Sequence, residues 1–296
     1  MRLGFFGQSG PFAPPALRAL LPVLGRHQLV VAVEGQKRLA GRHEHRVVKA
    51  DPRPWPKGDE LAPLASAAGV EAIVTREVND GAVIRRLREH DLDLIVCVGF
   101  DRLFSAELLA AARHGGVNAH PSLLPLLRGP APLFWALQQG LRHTGVTLHR
   151  LDAKEDHGPI FGAQRFQIPR RATGAEIYGL AGALAGELLA GFLSRVESEL
   201  PAGRAQEHAR ATRAPRPKPE DVHLDPSAWK AEALVDFCCG APYFRAPWLR
   251  FGDDIFFVRR GIDVERARKL PAQYVLAGST LVVQCADGVA HLEIQV

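Results

Sequence analysis

Val117-Asn118-Ala119-His120-Pro121-Ser122-Leu123-Leu124-Pro125 opens the stretch that decides the fold, and Asp156-His157-Gly158-Pro159-Ile160 closes it. Between them run Arg128-Gly129-Pro130 and Thr144-Gly145-Val146-Thr147-Leu148-His149. Asn118 and His120 lie two residues apart in a strand-like run, so their side chains leave the same face. An amide, an imidazole and, further on, a carboxylate all leave strand ends, where open α/β sheets put their chemistry. An acid/base site combines donors aimed at an oxygen that becomes negative with a group to handle a proton. Asn118 can supply the first and His120 the second. Asp156 precedes Gly158 on a turn that leads into a strand from Ile160 to Gln167. Its expected roles are to pair with His120, favouring the imidazolium, and to pass a proton through water. Asp152 and Glu155 compete for that role, but only Asp156 has the following Gly-x-Ile. His149 reads as a second, supporting or core histidine.

Upstream, short apolar runs at Leu3 to Phe6, Gln28 to Val33, Glu71 to Val74 and Leu92 to Val98 alternate with helical patterns near 16–21, 60–68 and 80–89. This rhythm predicts an α/β domain with a Rossmann-like, mostly parallel sheet. Glycines 4, 7 and 10 do not have the dinucleotide spacing, and Ser9 lacks the G-x-S-x-G setting of an esterase nucleophile. No His-Glu-x-x-His, P-loop or Ser-His-Asp pattern occurs. His43 and His45 have no carboxylate at metal-motif spacing, so no metal is expected. Cys97, Cys238, Cys239 and Cys285 form no C-x-x-C and read as reduced, buried thiols of a cytoplasmic protein. No signal-like segment and no apolar run long enough to span a membrane is read, so no membrane partner is expected.

The 296 residues, 47% hydrophobic and 23% charged, suit one large domain plus a small one. A net charge of +5 favours a polyanionic partner. Glu34 to Gly58 is polar, proline-punctuated and rich in cations, which suits either phosphate contacts or a solvated face. Downstream, Thr173-Gly174-Ala175-Glu176 is a capping-box pattern opening a helix expected to run to about Leu200. Pro201 to Asp221 reads as a basic, extended linker. Val222 to Val296 contains one helix near Ala231 to Cys238 and five short apolar runs separated by turns, which suggest a small β-barrel. The expected division is therefore 1–200, 201–221 and 222–296.

The order and spacing of the central stretch resemble the folate-dependent formyltransferases. The shared features are Asn-x-His-Pro-Ser-Leu-Leu-Pro, Arg-Gly, Thr-Gly-Val-Thr and Asp-x-Gly-x-Ile. The resemblance implies transfer of a formyl group from 10-formyltetrahydrofolate to an amine, with Asn118, His120 and Asp156 at the catalytic positions and a cis Leu124-Pro125 bond. It implies that Leu151, Asp152 and Glu155 border the pterin ring, and that Ser122, Arg128 and Gly129 face substrate. Gly99 to Ser105 resembles the turn of glycinamide ribonucleotide formyltransferases whose backbone holds the pterin, which makes Arg102, Leu103 and Phe104 cofactor contacts. Leu39-Ala40-Gly41-Arg42 resembles a loop that methionyl-tRNA formyltransferases lay against tRNA, and this implies phosphate contacts for Arg38, Arg42 and Arg46. The same subfamily carries a carboxyl-terminal OB-like domain. Leu126-Leu127-Arg128-Gly129-Pro130 and Thr147-Leu148-His149-Arg150 look more like the amino-sugar enzymes. The acceptor reading is therefore initiator methionyl-tRNA, with an amino-sugar nucleotide as the alternative. A formyltetrahydrofolate hydrolase, using water as nucleophile, is a third.

Overall fold

The structure is a computed structural model that describes residues 1–35, 46–48, 61–196 and 199–295, with backbone alone at 46–48. The chain begins β1 (Arg2–Gly7), α1 (Ala13–Leu20), β2 (Gln28–Gly35), β3 (Arg46–Val48), α2 (Leu61–Ala67), β4 (Glu71–Thr75) and α3 (Gly81–Arg88). It continues β5 (Leu94–Val98), α4 (Ala106–Leu109), β6 (Gly116–His120), α5 (Pro132–Gln138), β7 (His143–Arg150), β8 (Ile160–Gln167) and α6 (Gly174–Leu193). One eight-stranded sheet follows the order β3-β4-β2-β1-β5-β6-β7-β8. From β4 to β6 the neighbours are parallel, while β3 and β7 join antiparallel. The chain steps from β1 out to β2 and β4 and returns to β5 on the other side of β1. That reversal is where such sheets bind ligands, at the carboxyl ends of the strands.

The central strands are apolar because both faces are covered: all five residues of β5 are buried. Asp80 caps α3 by accepting from the Ala82 amide at 2.7 Å. Thr173 and Glu176 form the expected capping box at the start of α6. α6 stops at Leu193 rather than near Leu200. It is also long and apolar enough, by length and composition, to cross a membrane, contrary to the sequence reading. Its apolar face is core-facing, with Ala181, Ala185 and Leu189 fully buried. A Cβ at Gly186 would lie 2.6 Å from the Ala16 carbonyl, so this helix packs directly on α1. The polar 34–58 segment also contributes β3, which pairs with β4 at the sheet edge and was not expected from sequence.

The remaining elements are β9 (His223–Leu224), α7 (Ala231–Gly240), β10 (Trp248–Phe251), β11 (Asp254–Arg266), β12 (Tyr274–Ala277), β13 (Thr280–Cys285) and β14 (Gly288–Ile294). They form a six-stranded sheet of order β12-β13-β14-β11-β10-β9. α7 lies close on it, since a Cβ at Gly261 would meet the Val235 carbonyl at 2.4 Å. The Tyr274 ring of β12 sits 4.7 Å from the Phe251 ring of β10, and its hydroxyl donates to Asp254 at 2.6 Å.

By contacts the chain divides into two units. The first holds Met1–Arg128, Gly145–Arg165 and Tyr178–Arg213; the second holds Gly129–Thr144, Phe166–Ile177 and Ala214–Val296. Within the first, the stretch after α6 is bound at separate points. Arg204 exchanges backbone hydrogen bonds with Ile160, both 2.8 Å, and Arg213 bridges to Arg128.

Candidate active site

β6 ends at His120, and the adjoining Pro121-to-Leu127 turn is fastened to β7. Thr147 Oγ1 donates to the Ser122 carbonyl at 2.7 Å and accepts from the Leu124 amide at 3.1 Å. Gly145 makes room for this: a Cβ there would lie 2.4 Å from Leu123 Cδ2. These contacts give the Thr-Gly-Val-Thr segment its physical purpose. Leu124-Pro125 is cis, as the resemblance implies. Ser122 is fully buried and its hydroxyl donates to the Leu126 carbonyl at 2.7 Å, which places it inside the turn's own bonding.

His120 is 4% exposed and engaged at both ring nitrogens. Its Nε2 lies 2.9 Å from the Leu127 carbonyl, which can only accept, so that nitrogen carries hydrogen. Its Nδ1 lies 3.4 Å from Asp156 Oδ2. Burial lowers the imidazole pKa; Asp156 and the Leu127 carbonyl raise it, by less. Asp156 thus favours the imidazolium, while desolvation opposes it.

Asn118 Nδ2 faces Asp156 Oδ1 at 3.3 Å and His149 Nε2 at 3.1 Å. His149 Nδ1 donates to the Arg150 carbonyl at 2.9 Å, which leaves Nε2 as the acceptor for the amide. His149, fully buried, therefore sets the orientation of the Asn118 carboxamide. Asp156 has φ +51, an unusual value for a residue with a side chain. Gly158 is required two residues on, because a Cβ would sit 2.1 Å from the Arg150 carbonyl.

Around this centre, Leu103 is 60% exposed, whereas Phe104 is buried with its ring 5.3 Å from both Phe6 and Phe100. Only backbone remains for Phe104 to offer a ligand. Asn79 pins that backbone, donating to the Leu103 carbonyl at 2.9 Å and accepting from the Ser105 amide at 2.8 Å. Arg102 lies 3.6 Å from Asp101. Leu151 packs on the same apolar cluster as Phe104. Asp152 accepts from the Lys154 amide at 2.9 Å and contacts His157 at 3.2 Å, and Glu155 pairs with Arg213.

Arg128 is buried; burial works against its charge and Asp156 supports it. Its Nε and Nη2 donate to Gln206 Oε1 at 3.2 and 2.6 Å. Gly129 has φ +119 and would bring a Cβ within 2.8 Å of the Ala214 carbonyl. Arg38 and Arg42 lie outside the described residues, and Arg46 is seen only as backbone in β3. Gln206, through the Arg128 side chain and two backbone carbonyls, and Thr212, through the Leu127 amide, reach the site from far along the chain and carried no sequence signal. The four cysteines are free and buried, and burial pushes Cys97, which pairs across strands with Asn118, up to about 12.

Residues 31–188 match the Formyl transferase family. The methionyl-tRNA formyltransferase of Anaeromyxobacter sp. (strain K) is 32% identical over 298 aligned residues, covering 99% of this chain and 90% of that protein. Among solved structures, the N-formyltransferase from Helicobacter canadensis, in complex with folinic acid and dTDP-3-aminofucose, superposes with TM-score 0.68 at 14% identity over 100% of both chains. Glycinamide ribonucleotide transformylase 1 from Symbiobacterium toebii superposes with TM-score 0.54 at 22% identity, over 70% of this chain and 93% of that one. The structural likenesses speak for the fold alone. The sequence matches, extending through the stretch that builds the Asn118, His120 and Asp156 constellation, establish that this chain belongs to the formyl transferase family.

Proposed function

We propose that this protein transfers the formyl group of 10-formyltetrahydrofolate to the methionyl amine of initiator methionyl-tRNA. The observation that carries the reading is the meeting of Asn118, His120 and Asp156 within 3.3 to 3.4 Å, in a chain aligned with methionyl-tRNA formyltransferases over 99% of its length. The folate fits the residues present. The exposed Leu103 on a backbone pinned by Asn79, and Leu151, packed on the apolar cluster that holds Phe104, would border its ring. Bound there, it supplies a formyl carbon to be attacked by an amine, with its own nitrogen as the leaving group.

Asn118 would donate to the formyl oxygen as charge collects there, exchanging its bond to Asp156 for one to the oxyanion. Asp156, released from the amide, takes the proton of the attacking amine. That proton passes from Asp156 to His120 Nδ1, 3.4 Å from Asp156 Oδ2, as developing negative charge raises the ring's affinity for it, and His120 delivers it to the departing nitrogen. His149 keeps the carboxamide turned so that nitrogen, not oxygen, faces the reacting centre.

The acceptor reading rests on the relatives and on the cations between Lys37 and Lys57. The later basic stretch contributes less, since Arg210 pairs with Glu207 at 3.3 Å, Arg213 with Glu155 and Lys218 with Glu220 at 3.8 Å. We assign residues 1–200 to the catalytic domain, 201–221 to a basic connection and 222–296 to an OB-like barrel. The contact of Tyr274 with Phe251 and Asp254, across the order of the small sheet, supports that closure.

The test supplies labelled 10-formyltetrahydrofolate with charged initiator tRNA, a panel of amino-sugar nucleotides, or no acceptor. Label on the methionyl-tRNA is the expected result. Label on a sugar amine alone moves the acceptor to the small-molecule class, and formate released without acceptor identifies a hydrolase.

A further inference from the structure

His120 is held from both sides by residues with left-handed backbone: Leu127, φ +57, whose carbonyl takes its Nε2, and Asp156, φ +51, whose carboxylate faces its Nδ1. Side chains pay about 1–2 kcal/mol for this conformation and keep it only where the surroundings impose it. In both cases the restraint comes from one segment far along the chain. Thr212 Oγ1 accepts from the Leu127 amide at 2.8 Å, and the Thr212 carbonyl accepts from the Arg128 amide at 2.9 Å. Gln206 Nε2 donates to the Asp156 carbonyl at 3.0 Å and to the Gly158 carbonyl at 2.7 Å. Its Oε1 accepts twice from Arg128, so this side chain, only 6% exposed, has every donor and acceptor satisfied. A fully paired buried amide of this kind fixes one geometry, because losing any partner strands a polar group away from water.

We propose that Gln206 and Thr212 are positioning residues of the formyl-transfer site, which hold the two backbone turns flanking His120 in register. The inference rests on the proposed formyl transfer for its kinetic consequence but not for its geometry. The segment that carries them is then part of the catalytic apparatus rather than a plain linker. Neither residue touches the reacting atoms; each acts through Leu127 or Asp156.

The experiment uses the full chain with labelled histidine, comparing wild type, Gln206→Met, Thr212→Val and Thr212→Ser. The His120 imidazole titration is followed by NMR, and single-turnover formyl transfer is measured alongside. Gln206→Met and Thr212→Val should each lower the His120 pKa, because Asp156 and the Leu127 carbonyl both raise it in the wild type. Each should lower the chemical step, by up to about 10²-fold as small misplacements do, with KM for the folate unchanged. Thr212→Ser should restore both. Gln206→Glu, which keeps an acceptor for Arg128 but offers no donor to the two carbonyls, should lose the rate as well and serves if the Met variant fails to fold. Folded variants whose His120 titration and rate both match wild type, with only melting temperature reduced, would overturn the proposal. If the wild type transfers no formyl group, the functional reading fails while the titration still decides the positioning role.

Discussion

His149 Nε2 accepts from Asn118 Nδ2 at 3.1 Å, and its other nitrogen is committed to the Arg150 carbonyl. The imidazole is thereby locked in the tautomer that keeps the Asn118 amide nitrogen pointed inward. Removing it leaves a buried amide hydrogen unpaired, a loss of about 1–3 kcal/mol that should reappear in the barrier. His149→Ala is therefore expected to lower kcat by about tenfold or more, with KM for the folate unchanged. His149→Gln, whose carbonyl can accept in place of Nε2, should recover part of the rate. Steady-state kinetics on both variants checks this, and an unchanged kcat in the alanine variant would remove His149 from the site.

Burial lowers the His120 pKa below its ordinary 6.5. The unfolded chain therefore takes up a proton near that value that the folded chain resists. Stability contributed by this group is present above about pH 6.5 and is lost as pH falls from there toward the folded-state value. His27, also lowered by burial, acts with the same sign. The informative quantity is the difference between wild type and His120→Asn in urea midpoint across the acid range, and the variant should show the shallower decline. Parallel curves would mean that His120 is not buried in its neutral form.

Thr147 joins β7 to two backbone groups of the Pro121-to-Leu127 turn. Thr147→Val keeps the shape and leaves the Leu124 amide without its acceptor, at a cost of about 1–3 kcal/mol. Thr147→Ser retains both bonds and should lie much closer to wild type. Denaturant unfolding distinguishes them, and equal midpoints for the two variants would refute the fastening role.

If the acceptor is methionyl-tRNA, Arg38, Arg42 and Arg46 act through phosphate contacts, each of which makes binding more salt-sensitive. Neutralising all three should raise KM for tRNA and flatten its dependence on salt, leaving the folate site as it was. An amino-sugar nucleotide offers only a diphosphate and would show little change. Unaltered tRNA kinetics in the triple variant would count against this loop as the tRNA contact.

Much of the centre was legible because its parts are side chains at fixed short spacings: Asn118 and His120 on one strand face, and Asp156 ahead of Gly158. The parallel sheet was legible from apolar runs such as Leu94–Val98. The residues that escaped reading act through backbone. Gln206 reaches carbonyls about 50 residues upstream, and Thr212 reaches an amide 85 residues upstream. Neither leaves a pattern in the residues between. β11 is longer than the short apolar runs of its sequence suggest, because Arg259, Arg260 and Gly261 interrupt the alternation; register shifts between Val258 and Arg260 and between Gly261 and Asp263 accompany its continuation to Arg266. The depth of burial that lowers the His120 pKa is likewise not visible in a sequence, whereas a candidate carboxylate such as Asp156 is.

The central claim is that His120, set between Leu127 and Asp156, moves a proton during formyl transfer from 10-formyltetrahydrofolate. Rapid-quench single-turnover measurement with labelled formyl-folate and methionyl-tRNA, comparing wild type with His120→Ala, tests it most directly. The account predicts a chemical step slower by about 10²-fold or more, as expected for loss of an acid/base group, with folate affinity retained. A variant that transfers formyl at the wild-type rate would contradict it.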